Sequence, residues 1–299
     1  MSVKKVLVIR FRRIGDAVLS VVICSSIRKS FPEAEIHYVL NDHIAPLFEN
    51  HPDIDKIITF SDEENNHFFK YLRKVRQLMK TERYDVIIDT RATIKTLWFS
   101  AFSLRTKYRI GTSKFYNHFF HNYRVRNHVN DDLDEVVRNL LLLRPLERER
   151  KLIMTTDFRL YVTEQETAEF KSYMEQKGIN FSRFIVVCTP FTRVAGKAWD
   201  MAKMKEILSR IIQRYGAQLI FNYSRIEKEA ALALYEDMGK DEHIFIDIEA
   251  DSLRKLVSML EIADFFFGNE GGPRHIAQAC HLPGLAIYPP WVELSRWLP

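Results

Sequence analysis

Short runs such as "FIVVC" (184–188) and "QLIFN" (218–222) are apolar at every position, with no alternation of polar and apolar residues. A strand with one wet face alternates; a strand apolar throughout needs cover on both faces, as in a parallel sheet flanked by helices. Such runs recur along the chain, separated by segments of helical period. The first series predicts strands at Val6–Phe11, Ile36–Leu40, Lys56–Phe60, Asp85–Asp89 and Tyr108–Gly111, with helices at Ala17–Ser30, Phe68–Glu82 and Thr93–Ser103. The second predicts strands at Phe184–Pro190, Gln218–Tyr223, Ile244–Ile246, Ala263–Asn269 and Leu285–Pro289. Its helices are Met201–Tyr215, Arg225–Met238, Ser252–Glu261 and Pro273–Cys280. Two such series imply two doubly wound α/β domains. After a helix around Asp132–Leu143 comes the charged, irregular stretch "RPLERERKLIMTTDFRLYVTEQE", which places the boundary near residue 160 and the domains at 1–160 and 161–299. In open α/β sheets ligands bind beyond the carboxyl ends of strands, so the expected active site is a cleft between the two domains.

The apolar fraction of 46% and charged fraction of 28% are those of a soluble globular protein. No apolar run approaches the roughly 18 residues of a membrane span. The start, "MSVKKVLVIRF", lacks the pattern of a signal peptide and reads as a first strand. Cys24, Cys188 and Cys280 are scattered in apolar contexts, as suits buried thiols in a reducing cytosol rather than a metal site or disulfides. A pI near 9.0 and a net charge of +5 point to anionic partners. The positive charge is concentrated: residues 90–130 hold no Asp or Glu, but carry Arg91, Lys95, Arg105, Lys107, Arg109, Lys114, Arg124 and Arg126. Trp98, Phe99, Phe102, Tyr108, Phe115, Tyr116, Phe119, Phe120 and Tyr123 lie among them. The segment reads either as a helix and basic loop with its rings in the core, or as a surface for an acidic, partly apolar partner such as a phosphorylated lipid or a membrane face.

The common phosphate and hydrolase signatures are missing: GxGxxG, GxxxxGK[ST], HExxH, a CxxC pair and GxSxG. "DDLD" at 131–134 has the look of a metal-binding cluster, but acids in a first helical turn are favoured by the helix dipole, and it reads as a solvated helix start. Three loops at strand ends carry more. In "VLVIRFRRIGDAVLS" (6–20), Gly15 permits a tight turn and Asp16 stands where a helix N-cap belongs. The cap accounts for Asp16 but not for Arg10, Arg12 and Arg13, which are costly to cluster unless they meet an anion. In "TPFTRVAGKAWD" (189–200), Thr192 and Lys197 precede a helix starting near Asp200 and suit phosphate oxygens, although Lys197 is equally read as a surface lysine. In "FFFGNEGGPRHIAQA" (265–279), a strand ends at Gly268, Asn269 and Glu270. Gly271 and Gly272 then bare their backbone N–H groups, and Pro273 starts a helix at its preferred first position. That is a nest for an anion, and His275 in the first turn can point at it.

Together these loops resemble glycosyltransferase family 9, the ADP-heptose:lipopolysaccharide heptosyltransferases. The resemblance rests on "IRFRRIGDAVLS", "FPEAEIHYVLND", "HPDIDKIITF", "GKAWD" and "GNEGGPRHIAQACHLPGLAIYPP" and runs from residue 3 to about 293. It implies the GT-B fold, an α/β architecture of two doubly wound Rossmann-like domains facing each other across a cleft. It implies an inverting transfer of a heptose or related sugar from a nucleotide-diphosphate donor, with no metal and no cofactor beyond that co-substrate, ADP-heptose. Carried over, Asp16 is the general base. Thr192, Lys197, Glu270, Gly271, Gly272 and His275 fall in the donor site, and Ser224 and Glu227 fall where the nucleoside is held. Arg10, Arg12 and Arg13 would keep Asp16 ionised and meet phosphates of the acceptor. The partners implied are the nucleotide sugar and an anionic glycolipid such as a lipopolysaccharide core, with peripheral contact to the inner membrane through residues 90–130 and no nucleic acid. The place implied is the cytoplasmic face of that membrane.

The chain departs from the family pattern in three places. Glu270 replaces Asp, Gly271 replaces Ser or Thr, and the closing F-G-P-T reads "YPPW", with the chain stopping at Pro299 as a truncated chain or a divergent member would. Two other readings fit the same residues: a GT-B nucleotide-sugar epimerase or hydrolase, and a non-catalytic nucleotide or anion binder.

Overall fold

The computed structural model describes residues 3–126, 133–192 and 196–297. It divides into two units, Met1–Phe158 with Glu293–Pro299, and Arg159–Val292. The acids Asp131 and Asp132 and residues 127–130 of the basic segment lie outside the described residues, as does Pro299.

The first unit is built on strands β1 (Lys5–Ile9), β2 (Glu35–Asn41), β3 (Lys56–Phe60), β4 (Val86–Asp89), β5 (Tyr108–Thr112) and β6 (Tyr123–Val125). They form one sheet in the order β3-β2-β1-β4-β5-β6, and every pair is parallel. On one face Leu7, Ile9, Val39, Phe60 and Ile87 bury against Tyr71, Val75 and Met79 of helix Phe68–Thr81. On the other, helices Ile14–Ser20 and Val22–Ser30 pack with helix Glu135–Leu141. The expected helix Ala17–Ser30 therefore begins earlier and comes in two pieces. The expected helix Thr93–Ser103 shrinks to Leu97–Ala101. There the Thr96 hydroxyl accepts the Thr93 N–H and donates to the Thr93 carbonyl, both at 2.9 Å, which gives the backbone an alternative to helix.

The second unit holds β7 (Ile185–Thr189), β8 (Gln218–Phe221), β9 (Ile244–Phe245), β10 (Phe265–Asn269) and β11 (Gly284–Ile287), all parallel in the order β11-β10-β7-β8-β9. Helix Glu164–Gln176 begins inside the stretch read from sequence as irregular. Thr163 caps it, with Glu166 completing a reciprocal capping box, so the T-x-x-E signal was present but unread. The expected helix Arg225–Met238 is a 3-10 turn, Arg225–Glu227, followed by helix Lys228–Asp237. The expected domain 161–299 does not run to the chain's end: residues from Glu293 group with the first unit, where Arg296 Nε of helix Leu294–Trp297 reaches Glu135 Oε2 at 3.4 Å.

Both sheets reverse direction beside their first strand. The chain winds outward through β1, β2 and β3, then returns to place β4 on the other side of β1; likewise β10 falls beside β7. At such a reversal the loops leaving the two central strands part to opposite faces and open a crevice. Register pairs Ile9 with Asp89 and Thr189 with Gly268, so loops about 80 residues apart in sequence meet at each crevice.

Candidate functional site

At the first crevice, β1 runs on by one bond, Arg10 N–H to the Val39 carbonyl at 3.0 Å, and then turns sharply. The turn is made by Arg12 and Arg13, at φ of 67° and 46°, and not by Gly15, which lies inside the helix. A left-handed backbone at a residue with a Cβ costs about 1 kcal/mol or more; Asn41 Oδ1 helps hold it by accepting the Arg12 N–H at 2.8 Å. The residue preceding the helix is Arg13, so Asp16 is the third residue of helix Ile14–Ser20 and not its N-cap. Its carboxylate points back at the strand end, where Arg10 Nη2 lies 2.7 Å from Oδ1. Arg10 is buried, and Nη1 donates to Thr90 Oγ1 at 3.2 Å from the loop after β4. Glu135 Oε1 approaches the same Nη2 at 3.6 Å. Of the three arginines only Arg10 touches Asp16; Arg12 and Arg13 are exposed. Arg91, with its backbone N–H on Asp89 Oδ1, adds a fourth guanidinium to this region. Burial first, and then the charge of Arg10, lower its proton affinity.

At the second crevice, the residue type after β10 decides the geometry. Asn269 accepts the Trp199 N–H at 3.0 Å and donates to the Pro190 carbonyl at 2.7 Å, so its amide staples both ends of the loop that follows β7. This sets Lys197 Nζ 2.9 Å from Glu270 Oε2. Helix Gly272–Ala279 begins beside that pair, with Pro273 at its second position rather than its first. Gly271 precedes it at φ 172°, extended backbone open to any residue, and a Cβ there meets only Pro273 Cδ at 3.8 Å. Neither packing nor conformation demands that glycine. Asp200 caps the next helix, accepting the Lys203 N–H at 3.0 Å. Thr192 lies half-buried in the loop after β7. Ser224 and Glu227 follow β8 and bind each other, the Ser224 N–H and hydroxyl both donating to Glu227 Oε2 at 2.7 and 2.5 Å.

His275 sits in the first turn of its helix, as expected, but its ring is 3% exposed, with Arg274 Nη2 3.1 Å from each ring nitrogen. Burial above all, and then Arg274, hold it down to about 3. In the first unit burial holds His121 down to about 4, while Asp89, 3.8 Å from it, is pushed up to about 6 by its own burial. An unfolded histidine binds a proton near 6.5. Between that value and the folded one the unfolded chain binds more protons, so each buried histidine makes stability fall as pH drops below 6.5, by about 1.4 kcal/mol per pH unit. Asp89 acts in the opposite sense between about 6 and its ordinary 3.8, offsetting His121. The stability gap between the parent and His275→Asn is therefore expected to narrow by about 1.4 kcal/mol per pH unit below 6.5, read by urea unfolding at pH 7.5, 6 and 5. A gap independent of pH would show that His275 is not neutral in the native state.

Among the described residues one trio, Glu35, His37 and Glu82, brings candidate metal ligands within 4.8 Å of one another. Lys5 Nζ stands between the two acids, 2.9 Å from Glu35 Oε2 and 2.5 Å from Glu82 Oε2, so an ammonium already balances them. The DDLD cluster contributes a cap instead: Asp134 Oδ1 accepts the Val137 N–H at 2.8 Å. Sequence reading missed Glu135, Thr90 and Asn41, and placed Asn269 at a strand end without a role. Each is an ordinary polar residue near an element's end, and nothing local says which distant strand end it will face.

A protein-family model for glycosyltransferase family 9 (heptosyltransferase) matches residues 72–293. Among curated proteins, the chain is 24% identical over 298 residues to lipopolysaccharide heptosyltransferase 3 of Escherichia coli strain K12, over 93% of this chain and 83% of that one. Among solved structures, a glycosyl transferase of family 9 from Veillonella parvula matches with a TM-score of 0.85 at 17% identity, over 99% of this chain and 84% of that one. The E. coli heptosyltransferase WaaC with ADP-2-deoxy-2-fluoro heptose matches with a TM-score of 0.72 at 16% identity, over 97% and 90%. The α/β fold with two parallel sheets is that of these heptosyltransferases.

Proposed function

The chain belongs to glycosyltransferase family 9, and from that premise we propose that it moves a heptose, or a closely related sugar, from a nucleotide diphosphate to a lipopolysaccharide core or similar anionic glycan, inverting the anomeric centre without a metal. The observation that carries this reading is Asp16, held on a buried guanidinium through Oδ1 alone among the described residues, at the crevice of the first sheet. Its second oxygen takes the proton of an acceptor hydroxyl; the acceptor oxygen attacks the anomeric carbon, and the electron pair of the breaking C–O bond leaves with the diphosphate. Negative charge then grows on the diphosphate. Lys197 and the N–H groups at the start of helix Gly272–Ala279 are the groups suited to stabilise it, with no metal needed. Thr192 adds a hydroxyl for the phosphates. The bare Gly271 brings no side chain against the phosphates, and we assign Glu270, which contacts Lys197, to the sugar hydroxyls. We assign the nucleoside to the Ser224–Glu227 turn and favour ADP-heptose, because WaaC holds an ADP-heptose analogue.

The acceptor's lipid calls for a membrane surface, and we assign that role to part of the first unit. Phe115 and Phe119 are 96% and 76% exposed beside Lys114, and Arg124 and Arg126 are exposed nearby. Phe99 and Tyr108 of the same segment are core residues, and Arg109 is buried, donating to the carbonyls of Leu104, Thr106 and Phe120, so only part of the 90–130 stretch serves this role. No helix among the described residues is long and apolar enough to cross a membrane. We place the protein at the cytoplasmic face of the inner membrane. Binding to vesicles of anionic phospholipid is expected, with loss in Phe115→Ser/Phe119→Ser.

The activity test is incubation with ADP-heptose and a lipopolysaccharide core acceptor in the presence of EDTA. The expected product is glycosylated acceptor of inverted anomeric configuration. A product formed from the nucleotide sugar without any acceptor would instead identify an epimerase or hydrolase. Dependence on added divalent cation would overturn the metal-free reading.

A further inference from the structure

We infer that Glu135 is a positioning residue for Asp16, acting through Arg10 by keeping that guanidinium from closing on both oxygens of the carboxylate; this rests on Asp16 as the base. An arginine facing a lone carboxylate tends to grip it with two parallel N–H bonds, which occupies both oxygens. A base gripped in that way has the charge of both oxygens engaged and is a weaker acceptor for a substrate proton. Here the guanidinium meets groups from two helices and from the loop after β4. Nη2 lies 2.7 Å from Asp16 Oδ1 and 3.6 Å from Glu135 Oε1, and Nη1 is engaged by Thr90 Oγ1 at 3.2 Å. Glu135 is itself fixed at the start of helix Glu135–Leu141, which packs on the helix that carries Asp16. Its other oxygen, Oε2, receives Arg296 Nε at 3.4 Å from helix Leu294–Trp297. The result is an alternating row, Arg296, Glu135, Arg10, Asp16, in which each charge has a partner of opposite sign. Arg10, Glu135 and Asp16 are all buried, so rearrangement within the row changes which atoms meet and does not simply expose them to water. Removing the charge of Glu135 releases Nη2 from one side, and the guanidinium is free to rotate onto Asp16.

The test is the kinetics of Glu135→Gln and Glu135→Asp alongside Asp16→Asn, with urea midpoints as a control for folding. Glu135→Gln is expected to lower kcat by roughly tenfold or more while KM for donor and acceptor stays within about twofold. Glu135→Asp is expected to recover part of the loss. Because the effect passes through Asp16, Glu135→Gln should subtract nothing further from the residual rate of Asp16→Asn. An equal loss on both backgrounds, or a rise in KM with kcat unchanged, would overturn the inference. Transfer at the parental rate by Asp16→Asn would remove the base itself, whereas an inactive Asp16→Asn beside a fully active Glu135→Gln would remove only the role of Glu135.

Discussion

Asp16→Asn is expected to lower kcat by about 10²- to 10⁴-fold, the usual worth of a general base, while donor affinity and the unfolding midpoint change little. Asparagine keeps the shape and an oxygen for the Arg10 Nη2 contact but cannot accept the acceptor's proton. Removing one partner of a buried ion pair ordinarily costs about 3–5 kcal/mol because the remaining charge is stranded. Here Arg10 retains Glu135 at 3.6 Å and Thr90 at 3.2 Å, so the variant should fold. Calorimetric titration with ADP, together with single-turnover transfer, separates the two effects. Unchanged transfer would sink the assignment of the base, and lost ADP binding would move Asp16 from the chemistry to the architecture.

A second large effect is expected in the other unit. Gly268 lies in β10 at φ 155°, a backbone conformation that residues with a Cβ rarely adopt. A Cβ built there stands 2.2 Å from Thr189 Oγ1, 2.4 Å from the Thr189 carbonyl oxygen and 2.7 Å from its nitrogen. Two of those three atoms are backbone of the neighbouring strand β7, so relief requires the strands to part. Gly268→Ala is expected to destabilise by about 3 kcal/mol or more, combining backbone strain with overpacking. Urea unfolding reads it directly. Gly268→Ala/Thr189→Ala tests the cause: it removes the hydroxyl but not the backbone clash, so most of the deficit should persist. Full rescue by the double variant would put the clash in the side chain alone, and a Gly268→Ala protein within about 0.5 kcal/mol of the parent would show that the strands separate at little cost. The same substitution should disturb Asn269, the next residue, and with it the staple that sets Lys197 beside Glu270.

Much of this molecule was legible in the residues. Runs such as "FIVVC" report their own two-sided burial, so the parallel sheets followed from local pattern, and β7 is buried at all five positions. The loop motifs at 6–20 and 265–279 carried the family resemblance, which the family match bears out. Caps were also local: a side chain that accepts an N–H three residues on is specified by four consecutive residues, as at Asp134 and Asp200.

What tertiary structure alone decided lies where distant elements meet. "RRIGD" reads as a turn at glycine followed by an acidic cap. The fold instead bends the chain at Arg12 and Arg13 and moves Asp16 one turn inward, because the buried Arg10 waits for a carboxylate there. Lys197 is a surface lysine or a phosphate ligand by sequence, and it became the partner of Glu270 only because β7 and β10 are neighbours across 79 residues. Glu135 gave no signal at all, since its meaning depends on a guanidinium from β1 and another from the last helix. Periodicity and caps are short-range properties written in adjacent residues. The pairing of buried charges is a consequence of strand order, and strand order is set by how whole helices and sheets exclude water together.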